Sequence, residues 1–88
     1  MDEAVVTAYL ARLEAALGDD GEFRQLFLEL KSDKRVRQTE AVALATRFVA
    51  PTAASTPKAE ALDRILQRHQ SLHRLKLKLR AIGGRSAA

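Results

Sequence analysis

Apolar residues recur along this chain at intervals of three and four, the spacing of one face of an α-helix. Val5, Val6, Tyr9, Leu10, Leu13, Ala16 and Leu17 form a first such face, and Asp2 stands where an N-cap accepts from the free amides of a first turn. Gly18 ends that pattern. The segment Gly18-Asp19-Asp20-Gly21 joins two glycines to two capping acids and predicts a tight helix-to-helix turn, with Asp19 and Glu22 at capping-box spacing for the next helix. That second helix is short, with Phe23, Leu26, Phe27 and Leu30 as its stripe.

Ser32 or Asp33 can open a third helix whose apolar face is Val36, Ala41, Leu44, Ala45, Phe48 and Val49. Lys34, Arg35 and Arg37 would then fill its first turn and oppose the helix dipole, so the start frays or lies nearer residue 38. Pro51 disfavours helical geometry at Ala50, and Thr52 to Thr56 suits a connecting loop. Thr56-Pro57 is the clearest helix start, with Thr as N-cap and Pro at the first helical position. From there a helix runs to about Ile82, where Gly83-Gly84 is expected to stop it. At 1.5 Å per residue it is about 39 Å long, more than the roughly 32 Å width of a compact chain of this size, so its end is expected to protrude. The expected fold is therefore all-α, a small antiparallel bundle of about four helices with a long basic C-terminal helix. Residues 1–82 form one domain, and residues 83–88 form a flexible tail.

Composition narrows the chemistry. Of the 88 residues 47% are hydrophobic but only 5% aromatic, so the core must be built from Leu, Ala and Val with a few Phe. There is no cysteine, which removes disulfides, thiolate metal sites and a cysteine nucleophile together. No apolar run approaches the roughly 20 residues of a membrane span, and Met1-Asp2-Glu3 is acidic where a signal peptide is basic, so a cytoplasmic location is expected.

The net charge of +4 conceals a split. Residues 1–33 hold eight acids against three bases, a balance of −5, whereas residues 57–88 hold eight bases against Glu60 and Asp63, a balance of +6. Such a split serves an external anionic partner or holds the two halves of the chain together.

The last helix carries the most pointed pattern. Leu62, Ile65, Leu66, His69 and His73 lie in one arc, whereas Leu72, Leu75, Leu79 and Ile82 lie in another, rotated by about 90°. Ile65, Leu72 and Leu79 are seven apart, as are Leu75 and Ile82, which is coiled-coil spacing. Either other helices of the same domain cover the second arc, or a homodimer seam does. Arg74-Leu75-Lys76-Leu77-Lys78-Leu79-Arg80 alternates basic and apolar residues and, held helical by its neighbours, becomes a basic surface around a leucine stripe with Leu77 outside it. That surface is a solvated face balanced by the acidic half, or it binds nucleic acid, a membrane or a partner's groove. The helix has no aromatic for base stacking and no Trp or Phe for a membrane interface, so nucleic-acid binding would be weakly specific and membrane attachment is disfavoured.

His69 and His73 share a helical face at a spacing that allows two metal ligands, but no acid completes the set from the same turn, and hydrogen-bonded, partly buried histidines are expected instead. Neither a glycine-rich phosphate cradle nor an ordered Ser-His-Asp set is evident, and a chain this short leaves little room for a pocket of several hundred cubic ångströms. The expectation is a non-enzymatic interaction module without metal, cofactor or small-molecule substrate, acting by self-association or on a protein partner. Its expected contacts are Arg64, Arg68, Leu72, Arg74, Leu75, Lys76, Lys78, Leu79, Arg80 and Ile82. The rival is a nucleic-acid binder using the same residues on phosphates.

Overall fold

A computed structural model describes the backbone of residues 1–87 and the side chains of residues 1–79. It contains four helices, α1 (Glu3–Ala15), α2 (Asp20–Ser32), α3 (Gln38–Phe48) and α4 (Lys58–Ala87), and no strand among the described residues. The first two begin where their capping acids stand: Asp2 Oδ1 accepts from the Val5 amide at 3.2 Å, and Asp19 Oδ1 from the Glu22 amide at 3.1 Å. Between them Gly18 adopts φ +88°, a left-handed conformation that a side chain would strain. Leu17, expected on the α1 stripe, instead remains exposed where the chain turns at Gly18.

The third helix begins at Gln38, the later of the two starts the sequence allows. Lys34, Arg35 and Arg37 therefore stay out of its first turn, as the dipole argument requires. Asp33 closes α2 instead, accepting from the Arg35 amide at 2.9 Å and from the Tyr9 hydroxyl at 2.7 Å. The start of α4 is a correction. Its first residue is Lys58, so the Pro57 carbonyl accepts the first helical bond, from Ala61, and the Thr56 carbonyl accepts from the Gln38 side-chain amide. At the other end α4 continues past Gly83-Gly84, because glycine lowers helix propensity by about 1 kcal/mol without blocking the geometry. The reading of residues 83–88 as a flexible tail lies outside the described side chains.

The core sits where the apolar faces meet. Phe23, Leu13, Leu30, Leu44 and Ile65 are its largest fully buried apolar side chains. Helix α3 packs against α1 and α4, and α2 packs against the same two. The radius of gyration is 14.7 Å and the principal extents are 52 × 22 × 17 Å, against about 12 Å for a compact chain of this length. Helix length explains the elongation: α4, with 30 residues, is about 45 Å long, whereas the 13 residues of α1 or α2 give about 20 Å.

Candidate interaction surface

Helix α4 enters the core along one stripe. Ala61, Leu62, Ile65 and His69 are buried, Leu72 and His73 are half-buried, and Lys76 Nζ reaches the Gly18 carbonyl at 3.1 Å. From Arg74 onward the described side chains of α4 are exposed. Leu75, Leu77 and Leu79 are 51%, 50% and 59% exposed. The expectation that other helices of the same domain cover the second arc is therefore overturned for Leu75 and Leu79. Ile65, Leu72 and Leu79, spaced like one coiled-coil seam, pass from full burial through half burial to solvent. Arg74 and Lys78 are also exposed. Arg80 and Ile82 lie outside the described side chains.

The described basic residues of α4 make no ion pair with the acidic half of the chain. Arg12 pairs with Glu29, Arg24 with Asp20, Arg35 with Asp33, Arg37 with Glu40, and Arg47 with Glu3. Every one of those arginines precedes α4. Among the described residues no Lys or Arg of α4 takes part in an ion pair. Arg64 donates only to the Thr52 hydroxyl, and Lys76 only to the Gly18 carbonyl. Glu3, Asp20, Glu29 and Asp33 of the acidic first third are thus paired with arginines that precede α4, and among the described residues no Lys or Arg of α4 clasps that third.

The histidines sit where α4 crosses α2. The His69 ring stacks on Phe23 with centroids 3.8 Å apart and planes 5° from parallel, and His73 stacks on His69 at 5.9 Å. His69 is 1% exposed, and its Nε2 lies 3.0 Å from Asp20 Oδ1. The bond to His69, and secondarily Arg24, holds the Asp20 carboxyl below its ordinary range. The acid that sequence reading did not find in the same turn comes from another helix, 49 residues away. Nδ1 of both histidines is buried without a partner, and among the described residues no group of three or more His, Cys, Asp or Glu is placed to hold a metal ion.

Arg64, Arg68 and Leu72 point into an open groove of about 450 Å³ between the end of α3 and α4, together with Val49, Gln67 and Ser71. Two smaller grooves measure about 270 and 360 Å³. A chain this short leaves little room for an enclosed pocket; two of these grooves lie where α4 crosses a neighbouring element, and the one of about 270 Å³ lies between α1 and the connection around Arg35. Val49, Gln67 and Ser71 were missed as site residues because their meeting depends on how α3 and α4 cross, for which no local pattern exists. No described helix is long and apolar enough to cross a membrane. Comparison with protein-family models, curated proteins and solved structures finds no match.

Proposed function

We propose that this chain is a non-enzymatic interaction module, an antiparallel helical bundle whose long basic last helix contacts a protein partner. One observation carries the reading: Leu75 and Leu79 stand half-exposed on one face of a helix whose lysines and arginines, among the described residues, have no acidic partners. Full burial of a leucine contributes about 1.5–3 kcal/mol, so Leu75 and Leu79, which share one face and are already half-covered, supply only about 1.5–3 kcal/mol together. Association costs about 4–15 kcal/mol in lost freedom, so the leucines alone do not hold a complex together. The remainder falls to Arg74, Lys76 and Lys78, which favour an acidic partner and speed its encounter.

The same charges argue against a seam between two copies of α4. No acid follows Asp63 in the sequence, so two distal ends laid together would oppose bases with bases. Nucleic acid satisfies the cations but leaves the leucines without use. The deciding experiment compares the wild-type protein with a Leu75→Gln, Leu79→Gln double variant in a nuclease-treated extract, at low and high salt. A protein retained by the wild type and lost by the double variant is the expected result. Retention that disappears on nuclease treatment, or that ignores the leucine substitutions, overturns the proposal. Light scattering over a range of concentrations tests self-association separately, and a monomer is expected.

A further inference from the structure

Three grooves among the described residues differ in charge. One groove sets Asp2 beside Arg12 and Arg35, and another sets Asp20 beside Arg24 and Lys31, so each carries both signs. The groove between α3 and α4 carries only positive charge, from Arg64 and Arg68, over an apolar floor of Val49 and Leu72. Its remaining polar groups are Gln67, whose side-chain amide donates to Asp63 at 2.7 Å, and Ser71. Neither arginine is in an ion pair.

We infer that this groove is a docking site for an acidic amphipathic helix of a partner protein, one that presents two carboxylates at i, i+4 beside an apolar side chain. The inference rests on the proposed protein-binding role and places the partner's contact on the body rather than on the distal leucines alone. Arg64 and Arg68 are themselves four apart, so their Cβ atoms stand about 6 Å from each other along one helical row, the spacing of two carboxylates on a facing helix. Guanidinium groups bind carboxylates through paired hydrogen bonds, which sets register as well as attraction. Leu72 then receives the partner's apolar residue, and the leucines at 75 and 79 continue the contact along the same helix. A phosphodiester chain would meet the two arginines but gain nothing from Val49 and Leu72, and no aromatic lines the groove to stack a base.

The test uses the full chain and a labelled amphipathic peptide with a leucine row flanked by glutamates at i, i+4, read by fluorescence anisotropy and by amide shift mapping. Binding should weaken steeply with salt and move the amides of Val49, Arg68 and Leu72. Arg64→Glu with Arg68→Glu should reduce it at least about tenfold. The same peptide with lysine in place of glutamate should bind this reversed variant and not the wild type. Equal thermal melts check that the exposed substitutions leave the fold intact. Absence of peptide binding, insensitivity to charge reversal, or tighter binding of a single-stranded oligonucleotide to the same arginines overturns the inference. Peptide binding that is abolished by Leu75→Gln, Leu79→Gln yet ignores charge reversal overturns this site while leaving the proposed function standing.

Discussion

Glu40 is fully buried, yet it is charged and well supplied with donors. Its carboxylate accepts from the Asp2 amide at 2.8 Å, the Arg37 amide at 3.1 Å and the Thr39 hydroxyl at 2.9 Å, so it ties the start of α1 to the start of α3. The Asp2 amide is the main reason its pKa falls from the ordinary 4.5 to about 2. A carboxyl depressed in the folded state stabilises it above pH 4.5, and that contribution drains away as pH falls from 4.5 through about 2. Glu40→Gln should cost about 1.5–3 kcal/mol at neutral pH and should flatten the acid limb of a urea-unfolding series relative to wild type. An equally steep acid limb in both proteins would show that Glu40 does not carry this dependence. His69 is the second such residue. Its Nε2 lies 3.0 Å from the Asp20 carboxylate, and its Nδ1 is buried without a partner. His69→Ala removes that bond and the ring stacked on Phe23, and thermal unfolding should show a loss of about 2–4 kcal/mol.

At the scale of helices, the starts of α1 and α2 were readable because Asp2 and Asp19 act on amides three residues away. Gly18 was readable too: its φ of +88° suits glycine, and Gly18→Ala should destabilise the turn by about 1 kcal/mol in chemical denaturation. The start of α3 was only half legible, because the role of Glu40 depends on the distant Asp2 amide. For the same reason the sequence showed His69 on an apolar arc but could not show that Asp20 from α2 meets it. The two arcs of α4 were legible as a rotation of its apolar face. Which arc is covered was not, since that depends on how far α1, α2 and α3 extend beside it. Ile65 and Leu79 have equivalent heptad spacing and opposite environments, so periodicity alone does not decide burial. Leu75→Gln with Leu79→Gln should therefore shift stability by no more than about 0.5 kcal/mol, in contrast to any substitution at Ile65.

For the whole molecule, an unequal set of helix lengths turns a small bundle into a rod with a body. Small-angle scattering should give a radius of gyration near the 14.7 Å of the structure, and a value near 12 Å would mean that α4 folds back or stops early. The separation of charge follows from the same shape: Glu3, Asp20, Glu29 and Asp33 find arginines close by, and Arg74 and Lys78 of α4 stand exposed beyond them. The absence of cysteine from the chain allows the central claim to be tested site by site. Single cysteines placed at Leu62, Leu75, Leu77 and Leu79 can be titrated with a maleimide under native conditions at low protein concentration. The thiols at 75, 77 and 79 should react nearly as fast as in unfolded protein, while the one at 62 is strongly protected. Protection at Leu75 and Leu79 equal to that at Leu62 would contradict the account, because it would mean the chain already covers the surface on which a partner is proposed to dock.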